Sequence, residues 1–100
     1  MKKRFLDLDK ILDNRIRLSM LSILMIEDMV GFKEIKASLE LTDGNLASHV
    51  KALEKAEYIT VYKSFVGKKP HTEFKITPLG KKAFNDHLKK LESLISQHRK

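Results

Sequence analysis

The periodicity of apolar residues changes twice along this chain, and these changes limit the fold more than any other feature. Up to about residue 57, apolar residues recur three or four positions apart, which is typical of helices that bury one face. Residues 58–65 and 72–76 are instead rich in β-branched and aromatic residues, and the second run alternates, which predicts two strands. Helical spacing returns after Thr77 and Pro78, a pair typical of a helix start. The predicted order is therefore helices, a hairpin and a final helix.

The helical half of the chain divides into three helices. The first is predicted to begin behind Asp13, a candidate N-cap, and to run to about Asp28, with a short helical piece at residues 8–12 before it. Thr42 is the candidate N-cap of the third helix, because its hydroxyl can accept from the backbone of residue 44 or 45. The predicted buried residues of the second and third helices are Phe32, Ile35, Leu39, Leu46, Val50 and Leu53.

A loop of residues 66–71 is predicted to join the two strands, because Gly67 and Pro70 favour a loop here. The tip of this loop carries Lys68 and Lys69. The aromatic residues of the hairpin region are expected on the core face of the sheet; they are Tyr58, Tyr62, Phe65 and Phe74.

Two apolar surfaces, one near each end of the chain, predict a homodimer. The last helix, over about residues 78–97, has an apolar stripe with spacings of four, three and four residues, which suits packing against another helix. One hundred residues make about one domain, which is too small to cover both surfaces, so we expect them in a C2 interface. The predicted interface residues are Phe5, Leu8, Ile11, Phe84, Leu88, Leu91 and Ile95.

The third helix has a polar face opposite its apolar one. Gly44, Ser48, Lys51 and Lys55 point most nearly outward on a helical wheel, and Asn45 lies on one flank. Short polar side chains can hydrogen-bond base edges in a major groove, and lysines suit phosphates. The net charge of +7 also favours a polyanionic partner. A solvated helix face, with lysines that only protect a hairpin edge, is the alternative that the residues leave open.

The order of these elements carries a family resemblance. Residues 41–56, residues 58–59, the run Gly67-Lys68-Lys69-Pro70-His71-Thr72 and residues 77–80 resemble the winged-helix DNA-binding domains of MarR and ArsR-like bacterial and archaeal transcriptional regulators. The resemblance covers about residues 10–95 and is to small members without a separate ligand domain. It implies one domain over residues 1–100. The implied fold is α+β and mostly helical, a winged helix-turn-helix with a two-stranded β wing and flanking N- and C-terminal dimerisation helices.

The resemblance also implies roles for the elements. Residues from about 43 to 56 would be the recognition helix in the major groove, and residues from about 58 to 77 would be the wing on the phosphate backbone. Residues from about 78 to 97 would dimerise. The implied protein is a cytoplasmic homodimer that binds specific double-stranded DNA and regulates transcription. The predicted DNA-binding residues are Thr42, Gly44, Asn45, Ser48, His49, Lys51, Lys55, Lys68, Lys69 and His71. His49 borders the apolar face of its helix, so packing between helices is an equally good interpretation of this residue.

Two positions depart from the pattern of that family. Its recognition helix usually ends with glycine, where this chain has Glu57, so Glu57 is either strained or ends the helix in another way. The wing carries lysines where many relatives have arginine. Because lysine is a point charge on a flexible stem, we expect the wing to add affinity more than sequence discrimination.

Enzymatic and metal-dependent functions find little support in the residues. Adjacent residues on a helix point about 100 degrees apart, so neither Ser48 with His49 nor Asp86 with His87 forms a nucleophile and base pair. The absence of cysteine excludes thiolate metal sites and thiol redox switches. His87 and His98 partly resemble the C-terminal metal site of metal-sensing ArsR relatives, but we interpret both as surface histidines, because zinc prefers four good ligands. We therefore expect no enzyme activity, metal or cofactor.

The same residues bear on other binding functions. A winged helix can serve only as a protein-interaction module, without sequence-specific DNA binding, and this is the main alternative. RNA binding is disfavoured, because the aromatic residues are assigned to the core and leave no stacking platform. The longest apolar stretch is far below the roughly 20 residues that span a membrane, so no membrane partner is expected. The sequence assigns no small-molecule effector.

Overall fold

Helix caps and apolar spacing divide residues 8–98, which are the residues that the structure describes, into four helices and three strands. The structure is a computed structural model. In chain order its elements are α1 (Arg15–Ile26), β1 (Val30–Gly31), α2 (Phe32–Leu39), α3 (Asp43–Lys55), β2 (Ile59–Val66), β3 (Lys69–Ile76) and α4 (Pro78–Gln97). The strands form an antiparallel sheet in the order β1-β3-β2. The predicted mostly helical α+β architecture, with a hairpin behind a helix-turn-helix, is confirmed. No helix among residues 8–98 is long and apolar enough to cross a membrane.

Polar side chains start three of the helices. Thr42 caps α3, since its Oγ1 accepts from the backbone N–H of Asn45 at 3.2 Å, and Thr77 caps α4 in the same way, so both predictions are confirmed. The prediction for α1 was wrong by one residue. Asn14 is its N-cap, and its Oδ1 accepts from two backbone N–H groups of the first turn. The helix also ends earlier than predicted, at Ile26.

The segment before α1 is a single turn, and the predicted helical piece at residues 8–12 is wrong. Asp9 organises this turn: its Oδ1 accepts from the backbone N–H of Ile11 at 2.8 Å, and its backbone oxygen accepts from Asp13 N at 2.7 Å. The hydroxyl of Tyr58 donates to Asp9 Oδ2 at 2.6 Å. Burial, followed by this hydrogen bond, raises the pKa of Tyr58 to about 12. The turn is thereby tied to the start of the hairpin.

The end of α3 resolves the question raised by the missing glycine. Glu57 has a φ of 65°, so it is strained in the left-handed region. Tyr58 N donates to Leu53 O at 3.0 Å, and Glu57 N donates to Glu54 O at 2.9 Å, which is a Schellman ending. Thr77 holds this ending in place, because its Oγ1 donates to Glu57 O at 2.7 Å and its N–H donates to Tyr58 O at 3.0 Å. Thr77 therefore joins the end of α3 to the start of α4.

The hairpin connection is shorter than predicted. The turn consists of Gly67 and Lys68 alone, and Pro70 lies inside β3. Gly67 has a φ of 65°, as a two-residue hairpin turn requires at its first position. Pro70 follows the pair of Val66 and Lys69, so its nitrogen points away from β2. On the other side of β3, β1 pairs only with Phe74 and Glu73, so the missing N–H of Pro70 removes no hydrogen bond between strands.

The core fixes how these elements face one another. Phe74 on the central strand and Leu46 and Leu53 of α3 are fully buried, and Phe84 joins them from α4 at 8% exposure. The prediction that Phe65 and Tyr62 lie on a core face is wrong, because they are 72% and 45% exposed. They lie on the part of the hairpin that extends past the helices. The remaining core residues are Leu12, Met20, Leu21, Leu24, Val30, Ile35, Ile59 and Ile76.

Candidate nucleic-acid interface

The outward face of α3 is the predicted one. Because Leu46 and Leu53 anchor the opposite side in the core, the five predicted DNA-binding residues on the outward face and its flank are all exposed. They are Gly44, Asn45, Ser48, Lys51 and Lys55. Gly44 has open space around it, so this part of the helix can approach a flat or grooved partner closely.

A groove of about 700 Å³ separates this helix from the sheet. Its helix wall includes Gly44, Ala47, Ser48 and Lys51, and its sheet wall includes Val61, Lys63, Thr72 and Phe74. Lysines therefore stand on both walls of a cleft whose floor is apolar. Such a cleft can hold one phosphate backbone strand between two cations while the exposed helix face meets base edges.

Lys63 is a candidate that sequence reasoning missed. The signal was present, because a strand that buries Val61 points residue 63 to the same side. On that side of β2, Val61 is the last half-buried residue and Lys63 is exposed, so the charge at position 63 indicates where the hairpin extends beyond the core.

A second groove, between α2 and α3, adds two more lysines that were not predicted. Lys33 and Lys36 line it, and Lys36 Nζ lies 2.7 Å from Asp43 Oδ1 at the first turn of α3. In helix-turn-helix proteins the first helix crosses the DNA backbone, and a lysine such as the exposed Lys33 suits that place. The ion pair is well exposed, so it orients side chains more than it stabilises the fold.

Thr42 and His49 occupy less direct positions than the exposed residues of α3. The Thr42 oxygen accepts from Asn45 N, and its hydroxyl hydrogen stays available to a phosphate. His49 is half-buried, and burial, followed by the charge of Arg17, lowers its pKa below 6.5. The ring is therefore neutral at about pH 7.5 and can offer a hydrogen bond, but not a charge, to a ligand.

The wing residues fall on two faces of the hairpin. Lys68 lies in the turn, and Lys69 is exposed beside it. His71 is half-buried, and its Nε2 lies 3.6 Å from Glu73 Oε1. By strand alternation, Lys69 and His71 lie on the face opposite the groove. The structure thus brings Gly44, Ser48 and Lys51 together in the groove, but it leaves His71 behind the hairpin.

The predicted dimer residues are only partly accessible in a single chain. Leu8, Ile11, Leu88 and Leu91 are half-buried, and Ile95 is 52% exposed. Phe84 belongs to the core of the single chain and is therefore removed from the proposed interface. The predicted residue Phe5 lies outside the described residues.

The two histidines singled out for metal differ in environment. His98 is exposed, whereas His87 is only 2% exposed, so its interpretation as a surface histidine was wrong. Within the described part of the chain, Nδ1 of His87 has no hydrogen-bond partner. Over the same residues, no group of three or more histidine or carboxylate side chains could hold a metal ion.

Comparison with known proteins agrees with this geometry. Residues 16–95 match the family described as a winged helix DNA-binding domain. An uncharacterized protein from Methanocaldococcus jannaschii is 34% identical over 79 residues, which cover 79% of this chain and 86% of that protein. The solved structure of a transcriptional regulator homologue from Pyrococcus horikoshii OT3 is 30% identical, with a TM-score of 0.84, and the match covers 96% of this chain and 93% of that one. The predicted resemblance to small winged-helix regulators is confirmed, and the MarR and ArsR assignment stays a prediction.

Proposed function

The chain belongs to the winged helix DNA-binding domain family, and from this premise we propose that it is a cytoplasmic transcriptional regulator that binds specific double-stranded DNA sequences as a homodimer. The observation that carries the proposal is the groove with Lys51 and Lys63 on opposite walls, beside the exposed polar face of α3. This arrangement suits a phosphate strand next to a helix in the major groove.

In this proposal, Asn45 and Ser48 read the DNA sequence. Both are exposed, and the small Gly44 and Ala47 beside them allow close approach to base edges. An asparagine can pair bidentately with adenine, and a serine can donate to or accept from several bases. Lys51, Lys55, Lys63, Lys68 and Lys69 would bind phosphates and thereby supply affinity that depends on salt.

The homodimer part of the proposal rests on α4. Leu88, Leu91 and Ile95 leave apolar surface uncovered along one side of this helix. A twofold dimer through it would present two copies of α3 to successive major grooves, about one helical turn apart.

The test is selection of bound duplexes from a random library, followed by measurements on the selected duplex and a scrambled one. We expect one enriched, twofold-related sequence. Replacing Asn45 or Ser48 by Ala should cost roughly 1 to 3 kcal/mol on the selected duplex and little on the scrambled one, because the alanine cannot hydrogen-bond a base edge. Thermal stability should be near wild type, because both side chains are exposed.

Asn85→Ala on α4 is the matched control, since it removes the same side chain from another exposed helix position. It should bind both duplexes like the wild type. If no sequence is enriched, or if the Asn45 and Ser48 variants bind both duplexes like the control, α3 does not read sequence. That result would favour the protein-interaction alternative.

A further inference from the structure

The tip of the wing carries an exposed aromatic residue that the proposed function has not used. Phe65 is 72% exposed, and its register partner across the hairpin is Pro70, which is also exposed. The two lie next to the turn of Gly67 and Lys68. This large apolar side chain gains nothing from the core of the domain, and together with the exposed Pro70 it forms an apolar tip that a partner can cover.

The face on which Phe65 lies is set by strand alternation. Val61 and Lys63 line the groove beside α3, and Phe65 is the next residue of β2 on that side. On β3, Thr72 lines the same groove and Pro70 follows it toward the tip. Phe65 and Pro70 therefore extend the groove wall outward.

The hairpin is long enough to cross one DNA backbone strand, from the major groove to the adjacent minor groove. Phe65 lies four residues beyond Val61, roughly 13 Å along β2, and the turn lies a further two residues out. With α3 in a major groove, the adjacent minor groove begins about half of the roughly 34 Å helical repeat away. The tip then reaches the minor groove when the intervening phosphates occupy the groove between Lys51 and Lys63.

We propose that Phe65, backed by Pro70, is an apolar wedge that enters the minor groove next to the site read by α3 and partly unstacks one base step. The proposal rests on the proposed DNA-binding function. Apolar side chains such as phenylalanine and proline open base steps from the minor groove in proteins that bend DNA. Lys68, in the turn beside the wedge, and Lys69, on the opposite face of the tip, would bind phosphates on either side of it. The preferred step is a pyrimidine followed by a purine, because such steps unstack at least cost.

The experiment uses the selected duplex, with 2-aminopurine placed at successive steps to report unstacking by fluorescence. The wild type should raise the fluorescence at one step beside the site read by α3. Phe65→Ala should abolish that rise and weaken binding roughly tenfold, because a methyl group is too small to insert between bases. Its salt dependence should stay unchanged, because an apolar contact releases no counterions. Phe65→Leu should restore most of the fluorescence, since leucine also serves as a wedge.

Two controls separate the wedge from other roles of the wing. Val66→Ala removes a similarly exposed apolar side chain, 67% accessible, from the opposite face of the same tip, and it should change neither fluorescence nor affinity. Lys68→Ala with Lys69→Ala should instead lower the salt slope by about one unit for each phosphate that is no longer neutralised.

The wedge is overturned if wild-type protein binds the selected duplex without a fluorescence rise at any step. It is equally overturned if Phe65→Ala keeps the rise, or if Val66→Ala and Phe65→Ala behave alike. In each of these cases sequence-specific binding by the wild type stands, so the proposed function survives. If the wild type selects no sequence and binds no duplex, the proposed function and the wedge fail together.

Discussion

Single residues in this domain are held in conformations that their neighbours impose. Glu40 and Glu57 end α2 and α3 with φ angles of 53° and 65°, which glycine adopts at lower cost. Glu57 keeps this conformation because hydrogen bonds from both Thr77 and the Schellman ending hold it. Glu57 thereby takes the left-handed conformation that glycine favours at a helix end.

Glu57→Gly should raise the free energy of unfolding by about 1 kcal/mol. Glycine adopts the left-handed conformation without the strain of a side chain, and this gain exceeds the cost of the added conformational entropy of the unfolded chain. Urea unfolding measures this as a higher midpoint at an unchanged slope. Glu54→Gly, three residues earlier in the regular helix and also exposed, is the matched control and should lower the free energy by about 1 kcal/mol. A loss of stability in Glu57→Gly would mean that its side chain makes an interaction worth more than the strain.

Tyr58 should make the free energy of unfolding depend on pH in the alkaline range. Its pKa is raised from 10.0 to about 12, so the folded state favours the protonated phenol. The stabilisation is complete below pH 10.0 and is lost as the pH rises toward 12. The free energy of unfolding of the wild type should therefore fall more steeply over this interval than that of Tyr58→Phe, which urea titrations at several pH values can measure. Parallel pH profiles would show that Tyr58 ionises alike in both states.

At the scale of elements, the type of each helix and long strand could be predicted from the sequence, whereas the two-residue strand β1 and the length of the hairpin turn could not. Helical spacing and the β-branched run identified all four helices among the described residues and both long strands. The strand β1 has two residues, too few for any periodicity, and only its pairing with Phe74 and Glu73 defines it. The turn length depends on pairing across the hairpin, which local composition does not encode.

In the candidate site, too, some residues could be predicted from their own element and others could not. The exposed residues of α3 could be predicted because a helical wheel needs only Leu46 and Leu53 as its inner side. Lys63 and Phe65 were misjudged because a strand pattern gives the side on which a residue lies, but not where the neighbouring helix stops covering it. The burial of His87 depends on how α4 packs, and its own sequence neighbours do not reveal it.

The contact between α4 and the hairpin base allows a sharp test at Gly80. A methyl group added there would overlap the backbone carbonyl oxygen of Tyr58 and come within 2.9 Å of Ile76 Cγ1. Gly80→Ala should therefore lower the free energy of unfolding by about 1 to 3 kcal/mol, measured by urea unfolding. Gly44→Ala is the matched control, because nothing lies within 4 Å of the added methyl group, and its stability should be unchanged or slightly higher. Equal stability of the two variants would mean that α4 can shift away from the hairpin at no cost.

At the scale of the whole molecule, the chain is elongated. Its principal extents are 57 × 26 × 21 Å, and its Cα radius of gyration is 15.2 Å, against about 13 Å for a compact domain of this length. The α4 helix has 20 residues and carries Ile95 near its end at 52% exposure. An extended shape with uncovered apolar side chains along a terminal helix supports the proposed twofold partner.

Leu88→Glu combined with Leu91→Glu should produce monomers and weaken binding to the selected duplex, because two recognition helices no longer bind as one unit. Sedimentation at tens of micromolar measures the mass, a concentration at which a dimer of about micromolar affinity persists. Asn85→Glu with Lys89→Glu introduces two carboxylates at exposed positions of the same helix and should stay dimeric. A monomeric wild type at that concentration contradicts the proposed assembly.

The bonds of Thr77 have a consequence for the arrangement of binding sites along DNA. Because this residue bonds both to the end of α3 and to the first turn of α4, it couples the orientation of the proposed recognition helix to that of the helix proposed to dimerise. In the proposed dimer, the two copies of α3 would then keep a fixed angular relation. Half-sites displaced by half a turn, about five base pairs, would lie on opposite sides of the duplex, beyond the reach of a dimer without a flexible joint. Spacing, as much as base sequence, would thereby restrict which genes such a protein controls.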